Sequence, residues 1–382
     1  MSGTLKALFL SHSEALAPGG GGQQQCTREY RDTLRMAGFD FSDVTFKTDR
    51  KLLTRLHRKL SPAPYADLIP DEFVSRAAAA ARAERPAFVF CNLHDFIAVA
   101  PVLRKQLPCG TKLVLLSHGL ASVDDVHAAR IAGQGIGTGR LAQIPPEWLA
   151  RRIMAESAGL PAFDHVFCLA PFETGVCRWL GARSVSWLPR TLRAGNSLSW
   201  KPTGNRAGIV GTLDHPPNLE GVELVCNALR AIGPGKLRLR VVTHSHGIGA
   251  DLAARYEFVD YLGSLLEPGA VEEEAATWSA FVHPIFCHAM GCSTKVATGL
   301  GWGLPVITTA AGLRGYSWRQ GEIGASDSPG DLARAVLAAL DPARAIQLRE
   351  EAAKVVRSAP TLHEVAAQMR LDLGLAGSAA TV

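Results

Sequence analysis

The chain has 382 residues, of which 47% are hydrophobic and 20% charged, and its net charge is +5. This composition is typical of a soluble globular protein and excludes a disordered, collagen-like or coiled-coil chain. At about 150 residues per domain, the length predicts two domains. No apolar run approaches the roughly 18 residues that span a bilayer or forms a signal-peptide core, so a cytoplasmic location is predicted.

Charge and cysteines are distributed unevenly along the chain. Residues 1–200 carry 24 Lys and Arg against 17 Asp and Glu, which predicts that an anionic partner, lipid surface or substrate meets this half. The eight cysteines include no CxxC pair, and most of them stand in apolar runs. This pattern predicts reduced, buried thiols rather than disulfides or a zinc site.

Short β-rich runs alternate with helical patterns in the first half, which is typical of a parallel α/β domain. Strands are predicted at 5–10, 87–91, 112–117, 164–169 and 184–188, and helices at 25–37, 73–83, 96–106 and 147–158. The polar, turn-rich stretch 193–205 then predicts an interdomain linker.

The alternation restarts after this linker. Strands are predicted at 207–210, 237–242, 257–259, 280–283 and 304–308, and helices at 218–231, 294–301, 331–340 and 343–353. We therefore predict an α/β protein of two Rossmann-like doubly wound domains, 1–195 and 205–360, that face a cleft. A C-terminal helix and tail, 361–382, could pack back on the first domain. Ligands are expected beyond the carboxyl ends of the strands.

The segment 281–308 is the most informative part of the sequence. A predicted strand ends at His283-Pro284, and a glycine-containing loop leads to Ser293-Thr294-Lys295 at the start of a helix. The free amides and positive dipole end of such a helix favour a phosphate group. Lys295 would add a positive charge without a metal. The open alternative is a Ser/Thr helix cap followed by a solvated lysine.

Two ordered segments carry a resemblance to a known family. Residues 295–307 read Lys-Val-Ala-Thr-Gly-Leu-Gly-Trp-Gly-Leu-Pro-Val-Ile, and residues 208–218 read Gly-Ile-Val-Gly-Thr-Leu-Asp-His-Pro-Pro-Asn. Both resemble the donor-binding half of GT-B glycosyltransferases, especially family 4 (group 1). The resemblance implies a bacterial, metal-independent enzyme of polysaccharide biosynthesis, with no cofactor beyond its co-substrate. It would move a sugar from a nucleotide sugar, with a UDP-sugar favoured, to a hydroxyl of a glycan or lipid-linked acceptor.

The resemblance also implies a set of donor-binding residues. They are Gly211, Thr212, His244, Leu262, Gly263, Ser293, Thr294, Lys295 and Thr298. The family often carries a Glu-x7-Glu pair that binds the donor sugar and ribose, and the matching positions here are Met290 and Thr298. A basic residue that many relatives place near the first glycines is also absent, so Lys295, with His215 or Arg190, is expected to balance the diphosphate.

The N-terminal half has weaker matches to the family. The glycine-rich turn with Gly21, Gly22 and Gln23 is expected to line the acceptor side of the cleft, because glycine lets a ligand approach the backbone closely. His118 and Asp95 follow predicted strands and could orient the acceptor hydroxyl or take its proton. A purely structural role for either remains open. Asp124 and Asp125 are predicted to cap the next helix.

The basic segment 47–60 has leucines at the spacing of an amphipathic helix. It could lie on the inner face of an anionic membrane or pack its leucines on the core. No Walker loop, zinc-ligand spacing or DxD-like metal pair is present, and no interleaved basic and aromatic stretch indicates nucleic acid.

Three alternatives to the main interpretation remain open. The protein could use a CMP-linked acid sugar, it could be a nucleotide-sugar epimerase, or it could be a non-catalytic GT-B subunit that binds a partner enzyme.

Overall fold

A computed structural model describes residues 5–18, 21–47, 69–133, 145–192 and 197–375. The chain forms two six-stranded sheets in which every pair of neighbouring strands is parallel. The strand orders are β2-β1-β3-β4-β5-β6 in the first sheet and β12-β11-β10-β7-β8-β9 in the second. Helices flank both sheets, so the predicted pair of Rossmann-like domains is confirmed.

The first sheet and its helices occupy the N-terminal half. Its elements are β1 (Leu5–His12), α1 (Ser13–Leu16), α2 (Gly22–Met36), β2 (Phe39–Phe46), α3 (Asp71–Glu84), β3 (Phe88–Asn92), a 3-10 helix (His94–Ile97), α4 (Ala100–Gln106), β4 (Lys112–Leu116), α5 (Ala121–Gly133), α6 (Pro146–Gly159), a 3-10 helix (Leu160–Ala162), β5 (His165–Cys168), α7 (Pro171–Trp179) and β6 (Val185–Trp187).

The second sheet follows in the C-terminal half. Its elements are β7 (Arg206–Val210), α8 (Pro216–Ile232), β8 (Arg238–Val242), α9 (His246–Arg255), β9 (Val259–Tyr261), α10 (Ala270–Ala275), β10 (Ala280–His283), α11 (Thr294–Gly301), β11 (Val306–Thr308), β12 (Gly324–Ala325), α12 (Pro329–Ala338), α13 (Pro342–Ser358) and α14 (Leu362–Asp372).

The central strands of the first sheet are buried on both faces. In β1, Leu8 and Leu10 enter one apolar cluster while Ala7 and Phe9 enter the cluster on the opposite face. This alternation follows from the two-residue period of a strand. It also explains why these strands are continuous apolar runs in the sequence, since helices cover both faces of a parallel sheet.

The final helix crosses back to the first domain. Val365, Ala366 and Met369 of α14 belong to the apolar cluster that contains Phe9 and Phe90. The second sheet has its own two clusters of buried side chains. The helix α14 therefore joins the two halves at a second place, apart from the linker.

All ten predicted strands are present, whereas two strands were missed. The strand β2 has the sequence FDFSDVTF and lies at a sheet edge, where its solvated side chains interrupt the apolar signal. The predicted helix 96–106 is wrong as one element. Pro101, at the start of α4, lacks an amide hydrogen and cannot continue the preceding 3-10 turn.

The membrane and cysteine predictions have different outcomes. Apart from Lys47, the basic segment 47–60 lies outside the described residues, and among the described helices none is long and apolar enough to cross a bilayer. All eight cysteines are free thiols. The prediction that the thiols are buried does not hold for two of them, since Cys109 is exposed and Cys292 is partly exposed.

Candidate functional site

A cleft of about 850 Å³ lies between the two domains. The N-terminal domain lines it with residues of α2 and of the segment after β6. The C-terminal domain lines it with the end of β7, part of α10 and the first turns of α11. The lining residues are Gly22, Gln25, Arg28, Glu29, Arg190, Thr191, Leu198, Val210, Gly211, Thr212, Val271, Glu272, Phe281, Thr294, Lys295, Ala297, Thr298, Gly301 and Trp302.

The amino end of α11 opens on this cleft without a side-chain cap. Ser293 occupies the cap position, but its side chain makes no capping hydrogen bond. Its buried hydroxyl is instead 2.6 Å from Nε2 of His283 at the end of β10. Burial, reinforced by the positive charge of Lys295, holds the pKa of His283 well below its usual value, so this imidazole is neutral. The Ser293 hydroxyl therefore faces His283, and Ser293 does not line the cleft.

Lys295 is the cationic side chain that α11 presents to the cleft. It is half-buried, and burial together with Arg314 lowers its pKa to about 8. At neutral pH it therefore remains largely charged. A Cβ at Gly211 would lie 2.1 Å from Cε of Lys295. Glycine at this position is what allows the lysine to pass across the end of β7.

A second helix end meets α11 from the other domain. A Cβ at Gly22, the first residue of α2, would lie 3.1 Å from Oγ1 of Thr294. Gly21 has no capping side chain, and it and Gln23 are exposed and do not line the cleft. Two positive helix ends therefore approach each other beside Lys295.

The side chain of Arg314 holds the loop before α11 in place. This buried guanidinium donates from Nε to the carbonyl oxygens of Ala289 and Gly291, both at 3.0 Å, and from Nη1 to that of Ala311 at 2.7 Å. These bonds fix the carbonyl groups of the loop within the C-terminal domain. The amide groups of the loop bond to other partners.

Two carboxylates of the N-terminal domain accept those amides. Asp124 accepts the N–H of Met290 at 2.7 Å, and Glu173 accepts that of Gly291 at 2.8 Å. Burial outweighs these hydrogen bonds and raises the pKa of Glu173 to about 7. The amides of Met290 and Gly291 are thus paired within the protein.

Asp124 and Asp125 do not cap α5, so that prediction is wrong. Asp124 lies inside the first turn of the helix and also contacts Nε2 of His215 at 3.0 Å. Burial alone would raise its pKa, but the bonds from His215 and Met290 outweigh burial and lower it. Asp125 forms an ion pair with Arg152 at 2.5 Å. Both carboxylates pair with residues that are distant in the sequence.

His118 is fixed in one tautomer by Asn92. The Asn92 amide nitrogen donates to Ser11 and Thr27 at 2.9 and 3.0 Å, so its oxygen must accept from Nε2 of His118, 2.8 Å away. Burial, with the charges of His94 and Arg190, lowers the pKa of His118 to about 3. His118 is therefore a neutral ring with only Nδ1 left to accept a proton or hydrogen bond.

The structure separates other predicted residues from the cleft lining. His118 and Asp95 do not line it, and Asp95 lies 3.3 Å from the ring of His94. The imidazole of His215 contacts Asp124. Arg190 does line the cleft, but its guanidinium pairs with Glu29 and lies 3.3 Å from the Tyr316 hydroxyl.

Three of the predicted donor-binding residues follow β8 and β9. His244, Leu262 and Gly263 lie beyond the carboxyl ends of these strands, where the amide of Thr243 donates to the Gly263 carbonyl at 2.9 Å. None of the three lines the cleft itself. Thr298 does line it, and its hydroxyl donates to the Thr294 carbonyl at 3.2 Å.

Several residues of the site are absent from the sequence-based prediction. Glu29 and Glu272 line the cleft, while Asn92, Glu173 and Arg314 fix its supporting loops. Glu29 and Glu272 lie in helices, where the sequence pattern does not distinguish a binding glutamate from an ordinary surface glutamate.

Comparison with known proteins gives two independent findings. Residues 204–342 match the model of the family described as glycosyl transferases group 1. No curated protein matches the sequence. Solved structures match over nearly the whole chain, with low sequence identity.

Three of these structures illustrate the likeness. HepE from Anabaena, solved with UDP and glucose, is 13% identical with a TM-score of 0.63, and the match covers 97% of this chain and 99% of HepE. Sucrose-phosphate synthase from Thermosynechococcus elongatus is 18% identical with a TM-score of 0.66 and the same coverage. The lipopolysaccharide outer core galactosyltransferase WaaB is 13% identical with a TM-score of 0.59, over 97% of this chain and all of WaaB.

The paired parallel sheets and these likenesses establish the GT-B fold. The family match covers residues 204–342, a stretch of the C-terminal half that contains Gly211 and Lys295. The chain has the GT-B fold, and residues 204–342 of its C-terminal half match the model of the glycosyl transferases group 1 family.

Proposed function

We propose that this protein transfers a sugar from a UDP-sugar to a hydroxyl of a glycan or lipid-linked acceptor without a metal ion. The observation that carries the proposal is the convergence of Lys295 with the amino ends of α2 and α11 on one interdomain cleft. A nucleoside diphosphate is the part of the donor that such a concentration of positive charge would bind.

The same charges would act on the reaction. As the bond between the sugar and the diphosphate breaks, negative charge grows on the departing phosphate oxygens. Lys295 and the start of α11 line the cleft in which that charge would develop, so they would stabilise the transition state more than the ground state. Closure of the domains would exclude water and suppress hydrolysis of the donor.

His118 is not suited to remove a proton from the acceptor, and it does not line the cleft. A ring with a pKa of about 3 is a poor base at neutral pH. Its Nε2 is committed to Asn92, which leaves Nδ1 as a hydrogen-bond acceptor of fixed direction. The sequence left two roles open for His118, orienting the acceptor hydroxyl or taking its proton, and the second is not proposed.

Glu272 could take the place of the carboxylate that the family carries at the position of Thr298. It is exposed, and it lines the cleft together with Thr298 and Val271. A carboxylate can accept hydrogen bonds from both hydroxyls of a ribose, whereas a threonine hydroxyl offers weaker acceptors.

We expect the Glu272→Gln substitution to weaken UDP binding about tenfold, because one charge-assisted hydrogen bond is worth about 1.5 kcal/mol or more. Calorimetric titration with UDP and 2′-deoxy-UDP checks this. The variant should lose its preference for UDP, whereas exposed Glu273→Gln, the neighbouring control, should keep it. Equal preference in all three proteins would remove Glu272 from the ribose site.

A thermal-shift series with UDP, CMP and GDP, followed by mass-spectrometric donor screening in EDTA, tests the proposed activity. HepE has been solved with UDP-glucose, which supports beginning with UDP-sugars. Stabilisation by UDP alone and turnover of one UDP-sugar in EDTA are expected, since a ligand stabilises in proportion to its binding. Stabilisation by CMP alone would favour the CMP-sugar alternative.

One observation favours a non-catalytic subunit as the second candidate. Asp124 and Glu173 already occupy the amides of Met290 and Gly291, next to the proposed diphosphate site. A working enzyme could open these contacts when the donor binds, whereas a non-catalytic subunit would keep them. No thermal response to any nucleotide would favour the second candidate and reject the first.

A further inference from the structure

Two cysteine thiols from different domains meet behind the cleft. Cys26 lies in α2, one turn after Gly22, and Cys292 directly precedes the Ser293–Lys295 turn. Cys292 packs against the apolar cluster to which Cys26 belongs, and the Cys26 thiol donates a hydrogen bond to the Cys292 side chain. Cys26 is 5% exposed, while Cys292 is partly exposed.

A buried guanidinium lies beside this pair. Nη1 of Arg190 is 3.6 Å from Sγ of Cys292. Burial alone would raise the pKa of Cys292, but the bond from Cys26 and the charge of Arg190 outweigh it and lower the pKa to about 7. A large fraction of Cys292 is therefore thiolate at neutral pH, which is the form that reacts with oxidants. A small cavity borders Cys26 and Arg190.

We propose that Cys26 and Cys292 form an oxidation-sensitive dithiol site, which a peroxide converts into a disulfide between the two domains. Cys292 is the reacting thiolate, Arg190 stabilises its charge, and Cys26 is the resolving thiol. The proposal depends on these contacts alone and not on the proposed sugar transfer.

The chemistry takes two steps and consumes one hydrogen peroxide. The Cys292 thiolate attacks a peroxide oxygen, so that an S–O bond forms, the O–O bond breaks and the leaving hydroxide takes a proton from an acid in the buffer to become water. The Cys26 sulfur then attacks the sulfenic sulfur of Cys292. The S–S bond forms, the S–O bond breaks, and hydroxide leaves as water with the Cys26 proton. Two thiols are oxidised by two electrons, and the peroxide is reduced to two waters.

The disulfide would join α2 to the loop that precedes Lys295. Because Cys26 and Cys292 belong to different domains, the disulfide would restrict the movement of one domain relative to the other. A thiol reductant would release them.

The chain contains a matched control pair. The sulfur atoms of Cys168 and Cys177 are 3.7 Å apart, and both residues are fully buried within the N-terminal domain. Their mutual hydrogen bond and burial hold the pKa of Cys168 well above its usual value. This pair has contact between its sulfurs but lacks a stabilised thiolate, so it should resist peroxide.

Peptide mass spectrometry of the reduced full-length protein, before and after hydrogen peroxide, tests the proposal. We expect a Cys26–Cys292 linked peptide that forms at least about tenfold faster than a Cys168–Cys177 link and disappears with dithiothreitol. Oxidation should raise the thermal unfolding midpoint of the wild type and of Cys177→Ala, but not that of Cys26→Ala.

Two results would overturn the proposal, and both are read in the wild-type protein, so neither needs a variant to fold. The first is peroxide treatment that takes Cys292 to sulfinic acid with no linked peptide. The second is disulfide formation at equal rates in the Cys26–Cys292 and Cys168–Cys177 pairs. It would show that Arg190 does not activate Cys292.

Discussion

Replacing Lys295 with alanine should lower the turnover of a UDP-sugar about 10²–10³-fold, because one preorganised positive group on a developing oxyanion is worth that much. The same change should abolish the thermal stabilisation by UDP. The fold should tolerate the change, since Lys295 is half-buried and its ammonium group opens on the cleft. Initial rates and thermal shifts measured on the same preparations check both effects.

The matched control is Lys105→Ala on the exposed face of α4, which should keep full turnover. The wild type should also lose kcat/KM as the pH rises through about 8, because the free enzyme then loses the charge on Lys295. Turnover by Lys295→Ala within twofold of the wild type would reject the phosphate role.

Glu173→Gln should change the pH dependence of stability. Burial raises the folded-state pKa of Glu173 from 4.5 to about 7, so between these values the folded protein holds a proton that the unfolded chain has released. The free energy of unfolding of the wild type should therefore fall as the pH rises through this window, by up to about 3 kcal/mol from this group. The glutamine variant does not titrate and should lack that contribution.

Urea unfolding of both proteins at a series of pH values from 4 to about 8 measures the difference. Exposed Glu147→Gln, at the start of α6, is the control and should follow the wild type. Parallel curves for the wild type and Glu173→Gln would show that the Glu173 carboxyl does not titrate in this window, and would contradict the buried proton assigned to it.

The fold was largely predictable because its signals are local. Buried strands such as Leu5–His12 and Lys112–Leu116 are continuous apolar runs, since helices cover both faces of a parallel sheet. The start of α11 was placed correctly at Thr294, where a polar turn precedes a helical pattern. The strand β2 was missed because its solvated face interrupts that signal.

The candidate site was predictable only in part. The sequence indicated Gly211, Thr294 and Lys295 through a short motif, and these residues do line one cleft. It assigned Ser293 to the phosphate, but the hydroxyl is drawn to His283. That hydrogen bond depends on how two strand ends meet, which the spacing of the two residues does not reveal.

The sequence by itself determined two parallel α/β domains and a lysine at a helix start, because periodicity and turn chemistry act over a few residues. Only the tertiary structure decided which groups surround that lysine. Glu173 reaches Gly291 across 118 residues, and the Asp124 carboxylate reaches Met290 across 166. Such contacts form only when two separately folded sheets come together, and no local pattern encodes the partner on the opposing domain.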